Sequence, residues 1–537
     1  MHAARLLVAP TRLATAATAV FSTFFAVSGV LALTRAPFWQ LTMYHWIFFA
    51  LSLLSWLVWG FVHVRAARGR RRYAYLRALA TAAAGVVATV VLMALILDQT
   101  MDIRIRSYAD VKAVRLAAPS QFGAAVMVRD PTAASVTAAY TAANGSAVEV
   151  KATFSADSDF VAVLTLTNLP AAGSKVTLTN DRGEKYAADG ADDGVMLVKP
   201  LPPTAPNKPY RIAYGSCTLP YPYRRGQVGY DNVVATQPDL FIHLGDFIYA
   251  DLPLIIGDTL DAYRRMYRRN LVDSSYTKLM HTIPSLHTSD DHEIKDNWSF
   301  LDRDPYNVAM RAYREYVHAG HPAMPPPPAG IAALPESNRW FYNVTLGGDL
   351  MSIYVMQLRA YRQFSDPSWS PAENDASLEP EGSTHLGKVQ KDDLKRWLLD
   401  QQAAGVTWKL IVSSVPFTLN YQDRDTWYGF RREHAELLEF IDANKITNVH
   451  VISGDRHEVG IFKVDLPTSK KPIYDMSVSP INAFYDDIIS SKDSNGQLFA
   501  QAAGASFVGA LDVERNQLTL NVFKGQDKVF NLVIPKI

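Results

Sequence analysis

The sequence predicts three N-terminal transmembrane helices, then a small all-β sandwich, then a large α/β domain. Three observations predict this. Apolar stretches at about 14–33, 42–62 and 78–97 contain no Asp, Glu, Lys or Arg. Residues from about 121 to 200 hold short segments rich in β-branched residues, separated by turn signals. From Tyr210 onward, short apolar strands alternate with helical patterns.

Each apolar stretch is long enough to cross a bilayer as a helix. Charge-free runs of this length are rare in soluble cores, which disfavours three buried soluble helices. Trp39, Trp46, Trp56 and Trp59 cluster at or within the second stretch, where an interfacial belt is expected. The connection after it carries Arg65, Arg68, Arg70, Arg71, Arg72 and Arg77, whereas the connection after the first carries only Arg35. The positive-inside rule places the Arg-rich loop in the cytoplasm. The N-terminus, with Arg5 and Arg12, is then inside, and everything after Leu97 is outside. The expected location is the inner (cell) membrane, multi-pass, with the large domain on the extracytoplasmic side. Two targeting alternatives fit the same residues: a cleaved signal peptide over the first stretch, and a twin-arginine-like signal at Arg71-Arg72.

Lys plus Arg number 53 against 52 Asp plus Glu, so the net charge is +1. That balance lacks the basic excess of a nucleic-acid-binding protein. The one cysteine, Cys217, cannot form an internal disulfide.

Residues from about 98 to 120 read as a stalk. Strands are expected at Ser135–Tyr140, Val148–Phe154, Val161–Leu166 and Lys175–Thr179, with turn signals at Asn144-Gly145 and Ala172-Gly173. These make 101–200 a stalk plus β-sandwich. Lys199 to Pro209 is proline-rich and reads as a stiff linker, with its boundary at 201–209. The domain at 210–537 follows. Arg264, Arg265, Arg268 and Arg269 read as the solvated face of a helix starting near Thr259, and Pro325 to Pro328 as a loop.

The chemistry gathers at the ends of predicted strands. Arg211-Ile-Ala-Tyr runs into Gly215-Ser-Cys217, and Leu-Phe-Ile-His-Leu244 into Gly245-Asp246-Phe-Ile-Tyr249. Pro284-Ser-Leu-His287 leads to Asp290-Asp-His-Glu293, and His450-Val-Ile-Ser453 to Gly454-Asp-Arg-His457. In open α/β sheets, ligands bind outside the carboxyl ends of the strands. Carboxylates suit hard cations, while imidazole, thiolate and phenolate suit iron or zinc. A mixed set points to two or more metals of different character. The glycines before Asp246 and Asp455 permit a sharp turn and a close approach.

These motifs, in this order, resemble those of PhoD-type alkaline phosphatases, a branch of the calcineurin-like metallophosphoesterases. Asn297-Trp298, Tyr263-Arg-Arg-Met-Tyr267 and Ser477-Val-Ser-Pro480 match the same style, and Asp130-Pro131-Thr132 resembles the family's preceding β-domain. The resemblance covers about Phe122 to Ile537. It implies a metallophosphoesterase-like two-sheet sandwich. It implies that Cys217, Asp246, Tyr249 and His457 hold Fe3+, and that Asp246, Asp291 and Asp455 face Ca2+ or another divalent metal, with Asp246 shared. His292 resembles the histidine that contacts the leaving group or the developing charge. Purple acid and calcineurin-type enzymes have Asp-x-His at the first motif and Gly-His-x-His at the last. Cys217 and Asp455 therefore favour the PhoD branch. The chain departs from the pattern at Gln357, where the family commonly has Asp, and at Ser289, where an aromatic residue often stands. The three spans are also unlike the usual exported form.

The implied activity is hydrolysis of phosphate monoesters or diesters by metal-activated water. The implied partners are a phosphate-ester substrate and a lipid bilayer. His292 and Arg359 are expected to stabilise charge on the ester, and Asn297, Trp427 and Arg431 to line the substrate pocket beside Phe430. A helix start that merely packs an aromatic is the competing reading of Trp427. A phospholipase D-like phosphodiesterase and a degenerate surface binding protein are the alternatives at the level of function.

Overall fold

The computed structural model describes residues 2–34, 39–67, 72–100, 106–186, 194–219, 226–252, 258–299, 303–318, 320–321, 340–364, 381–483, 489–492, 496–502 and 504–537. Arg35, Arg68, Arg70, Arg71 and the proline run 325–328 lie outside them. The chain divides into two compact units, one mainly Met1–Ser107 and the other beginning at Tyr108.

In the first unit the apolar runs form α1 (His2–Thr34), α2 (Trp39–Ala67) and α3 (Arg72–Thr100). A helix satisfies its own backbone donors and acceptors, which is what an apolar surrounding requires. Pro10–Val30, His45–Ala67 and Tyr73–Leu97 are long and apolar enough to cross a membrane. Several polar side chains on these helices bond to a neighbouring helix. Thr18 donates to the Ser55 carbonyl at 3.0 Å, the Ser22 and Ser52 hydroxyls lie 3.1 Å apart, and Ser28 meets His45 Nδ1 at 2.9 Å. Such bonds join helices where the hydrophobic effect cannot.

In the second unit seven strands come first. They are β1 (Ala113–Ser120), β2 (Gly123–Arg129), β3 (Ser135–Thr141), β4 (Ala147–Thr153), β5 (Val161–Thr167), β6 (Ser174–Asn180) and β7 (Val195–Val198). They form two antiparallel sheets, ordered β1-β2-β5 and β4-β3-β6-β7. Alternate side chains of both, among them Val126, Leu164, Val136 and Leu178, meet in one apolar core. Part of the expected stalk is therefore strand β1. It is buried almost throughout, Arg115 included, whose side chain donates to the Val317 carbonyl at 2.7 Å. The proline-rich stretch is not a free spacer either, because Leu201 is buried in the main core.

Thirteen further strands among the described residues build the rest: β8 (Tyr210–Gly215), β9 (Leu240–His243), β10 (Ser285–His287), β11 (Tyr342–Leu346), β12 (Met351–Val355), β13 (Trp408–Val412) and β14 (Val449–Ser453), then β15 (Glu458–Asp465), β16 (Pro472–Val478), β17 (Gln497–Ala502), β18 (Phe507–Val513), β19 (Gln517–Lys524) and β20 (Asp527–Pro535). One sheet runs β10-β9-β8-β18-β19-β20, and the other runs β11-β12-β13-β14-β16-β15-β17. Strands β8, β9 and β10 are mutually parallel, as are β12, β13, β14 and β16. Ile212, Tyr214 and Leu240 of the first sheet share a core with Ile353, Leu410, Ile452 and Met476 of the second. The parallel strands are near-continuous apolar runs because both of their faces are covered.

Helix α4 (Gly229–Ala235) follows β8, and α5 (Leu260–Asn270) follows β9. Thr259 caps α5 by accepting from the Ala262 amide at 3.3 Å, which places its start where the sequence puts it. The arginines of α5 are not a solvated face. Arg268 is buried and grips Asp159 at 2.6 and 2.7 Å, and Arg264 pairs with Glu315 at 2.8 Å. Asp159 also accepts from Arg129 at 3.3 Å and from the Tyr316 hydroxyl. These contacts tie the small sheets to the large ones.

Candidate metal centre

The strand ends meet. Past β8 stands Cys217, past β9 Asp246, past β10 Asp290 and Asp291, and past β14 Asp455 and His457. Cys217 Sγ lies 3.4 Å from Asp246 Oδ2, and the Tyr249 hydroxyl lies 3.3 Å from the same oxygen and 3.1 Å from His457 Nε2. Ligand atoms of Cys217, Asp246 and His457 all fall within 4.8 Å of one another, as do those of Asp246, Asp290, Asp291 and Asp455. Asp246 belongs to both groups.

The backbone at these positions is unusual. Cys217, Asp246, Asp455 and His457 all have left-handed φ, at +63°, +56°, +77° and +52°. Non-glycine residues hold this conformation only where their surroundings enforce it, and such places gather at functional sites. Glycine is needed beside two of them. A Cβ on Gly245, at φ +107°, would stand 2.6 Å from the Asp290 Cβ, and one on Gly454 would strike the Ser216 hydroxyl.

The enforcing contacts are visible. Glu293, buried, accepts from the amides of Asp246, Phe247, Ile248 and Asp290 at 3.1, 2.5, 3.2 and 2.6 Å. One carboxylate thus fixes two of the strand-end loops. Ser216 accepts from the Asp455 amide at 2.9 Å, and Ser479 donates to Cys217 Sγ at 3.1 Å.

The electrostatics call for a cation. Burial pushes Asp246 and Asp455 well above the usual carboxylate range, with neighbouring carboxylates adding to the shift. Burial also pushes the Cys217 thiol well up, with Asp246 and Asp455 beside it. The buried oxygens Asp290 Oδ2, Asp291 Oδ1 and Asp455 Oδ2 have no hydrogen bond. Arg359 stands 2.5 Å from Asp290 and 3.6 Å from Asp291, and Arg456 stands 3.8 Å from Asp455, yet burial still holds Asp246 and Asp455 high, and a cation within the cluster would reverse the sign. The donor types, one thiol, one phenol, one imidazole and several carboxylates, match a mixed soft and hard metal pair. The residues present therefore fit a metal cluster.

His292 lies beside the cluster. Its ring stands 4.2 Å from that of Tyr249, and Nδ1 donates to Asp251 Oδ1 at 2.8 Å. Burial opposes its charge, yet Asp251, Asp291 and Asp246 together push its pKa well above the ordinary value. Asn297, at the rim, donates its amide to Asp291 Oδ2. Arg359 is not aimed at open space. It is fully buried, bonding Asp290 at 2.5 Å and Asp425 at 2.7 and 3.0 Å, so it positions carboxylates from beneath. Trp427 is fully buried too, packed on Phe417 and His385. Arg431, at the start of its own helix, lies over the Tyr428 ring at 4.6 Å. The competing, packing reading of this segment is the one the geometry favours.

The two departures from the family pattern touch. Gln357 donates through Nε2 to the Ser289 hydroxyl, and its Oε1 accepts from the Arg359 amide at 2.7 Å. Gln357 thus still holds the Arg359 backbone, while a small polar Ser289 makes room for the amide.

Sequence reasoning gave no role to Asp251, Asp290, Glu293 or Asp425. Asp251 carried a usable signal, since it stands two residues after Tyr249 in the same strand-end segment. The partner of Asp425 is 66 residues away, which no local pattern reveals.

Parallel strands that end on a buried cluster of thiol, imidazole and carboxylates define an α/β protein with a candidate metal centre. The chain belongs to the PhoD-like phosphatase family, whose model matches residues 212–512. Alkaline phosphatase D of Bacillus subtilis (strain 168) is 26% identical over 307 residues, which are 49% of this chain and 48% of that protein. The chain thus spans about half the length of this curated relative. A solved structure described as "Structure of PhoD" shares the fold, with a TM-score of 0.61 at 18% identity over 79% of this chain and 88% of that one.

Proposed function

We propose that this chain is a membrane-anchored, metal-dependent phosphoesterase acting on phosphate monoesters, diesters or both. The observation that supports it best is the meeting of Cys217, Asp246 and His457 with Asp290, Asp291 and Asp455 around a shared Asp246. In this reading residues 1–100 anchor the chain and 210–537, in a metallophosphoesterase-like arrangement, carry the chemistry. Cys217, Asp246, Tyr249 and His457 would hold Fe3+. Asp246, Asp291 and Asp455 would face Ca2+ or another divalent metal.

When bound, the metals supply positive charge that neutralises phosphoryl oxygens and acidifies the attacking water. The chain's own residues do the rest. Glu293 holds the Asp246 backbone, and Arg359 stands 3.6 Å from Asp291, so these ligand carboxylates are placed before substrate arrives. Asp251 orients His292 through Nδ1 and favours its charged form, leaving Nε2 to meet the oxygen on which charge develops. Asn297 lies at the rim, where the ester enters.

The test is hydrolysis of bis(4-nitrophenyl) phosphate and 4-nitrophenyl phosphate by the full chain in detergent. Turnover of at least one is expected, lost on chelation and restored by returning iron with calcium. Full activity after exhaustive metal removal would contradict the proposal.

Extracytoplasmic placement rests on the arginine asymmetry around the second span. A reporter that works only outside the cytoplasm should be active when fused near Val111 and silent at Gly69. The reverse pattern would invert the topology.

A further inference from the structure

Beside the cluster lies a cavity of about 690 Å³ that the proposed reaction leaves without a role. Asp296 and Asn297 form its border with the cluster, next to His292 and Asp291, and Asp425 forms part of its wall. The acids of this wall are all engaged. Asp425 accepts from Arg359 and Arg362, and Asp423 pairs with Arg456 at 3.1 Å. Asp296 accepts from Asn297 Nδ2 at 3.0 Å and stands 3.9 Å from His292 Nε2. Arg424 lies flat over Phe364, 4.0 Å from the ring centre, and closes one side.

Two cations of the same wall have no such partner. Lys295 and Arg303 are exposed side chains that line the cavity. Among the described residues neither side chain makes an ion pair or a hydrogen bond. Positive charge on a concave wall focuses potential and draws anions. A neutral alcohol leaving from the cluster would give these cations nothing to meet.

We propose that this cavity is a second anion subsite, which takes a negatively charged group borne on the leaving alcohol of the phosphate ester. The proposal rests on the phosphoesterase reading given above. In the reaction the water oxygen bonds to phosphorus and the P–O bond to the alcohol breaks. The proton released by the attacking water ends on the alkoxide oxygen, which departs as an alcohol that still carries its own anionic group. Lys295 and Arg303 hold that group, so the preferred substrate is an ester with a second phosphate, carboxylate or sulfonate a few bonds beyond the scissile oxygen.

The experiment compares butane-1,4-diol bisphosphate with 4-hydroxybutyl phosphate, followed by phosphate release from the metal-loaded full chain in detergent. The two differ only in the second phosphate, and two equivalent ends give a statistical preference of about two. The wild type should prefer the bisphosphate by roughly tenfold in kcat/KM, the size two solvent-exposed charge pairs provide. That preference should shrink in about 1 M salt, where the Debye length is about 3 Å. In K295Q/R303Q the ratio should fall to the statistical value. A wild-type ratio of about two, or an unchanged ratio in the double variant, overturns the subsite while leaving the phosphoesterase reading standing. A loss of both rates in equal proportion in the variant does the same, because it marks a structural role. Failure to turn over these esters and bis(4-nitrophenyl) phosphate alike overturns the phosphoesterase reading itself.

Discussion

Asp246→Asn is expected to lose bound metal and turnover together. Asp246 is the one residue common to the thiol-imidazole group and the carboxylate group. Its two oxygens face different neighbours: Oδ2 lies by Cys217 and Tyr249, and Oδ1 lies by the His292 amide. Asparagine keeps the shape but removes the charge and offers one oxygen where two were available. Burial already disfavours the charged form of Asp246 in the metal-free protein, so a neutral amide of the same shape should leave the apo form about as stable as the wild type. Loss of metal with retained thermal stability separates a ligand from a structural turn. Metal charge stabilisation is worth several kcal/mol, so turnover should fall by about a thousandfold or more. The checks are metal content per chain, thermal unfolding and hydrolysis of a chromogenic ester. An Asp246→Asn protein that keeps its full metal complement sinks the bridging role.

His292→Ala is expected to keep its metals and still lose turnover, by roughly a hundredfold to a thousandfold, the range for removing one group that stabilises transition-state charge. His292 Nδ1 is committed to Asp251 at 2.8 Å. That contact fixes the ring, and Nε2 stays at the cavity side, 3.9 Å from Asp296. His292 Nε2 or Nδ1 also lies within 4.8 Å of Asp246 and Asp291 ligand atoms, so a ligand role is the specific competitor. Metal content decides between the two. A His292→Ala protein that loses metal along with activity makes His292 a ligand, and one that keeps full activity on monoester and diester removes it from the site. Asp251→Asn should reproduce part of the defect, because it releases the ring without deleting it.

How much of this was legible in the sequence depends on how local each signal was. The three apolar runs announce themselves, since a bilayer-length stretch without charge has few soluble uses. The strand-end motifs are also local: an apolar strand, a glycine and a ligand within a few residues. Cys217, Asp246, Asp291, Asp455 and His457 were therefore readable and are brought together by the fold. Buried charge was not readable. Arg115 made β1 look like a stalk, and Arg268 made α5 look solvated, because the groups that neutralise or bind them lie more than a hundred residues away. The buried surroundings of Arg359 were hidden for the same reason. Its carboxylate partners are 66 and 69 residues away, beyond the reach of any local pattern. Trp427 is a different case. Aromatic residues near a site line pockets or fill cores with the same composition, and only packing on Phe417 and His385 decides. Glu293 sat in plain view within a motif, yet its four backbone partners belong to two separate loops.

The central claim is that the strand ends hold a mixed metal cluster with the chain's sole thiol as a ligand. Metal content of the purified full chain, compared with Cys217→Ser, tests it most directly. Serine is nearly isosteric at this fully buried position, but it is a poor soft ligand. The account predicts iron and a second, divalent metal in the wild type, and a variant that folds with its iron largely gone and most of its activity with it. Equal iron in both proteins, or none in a wild type that hydrolyses phosphate esters, would contradict it.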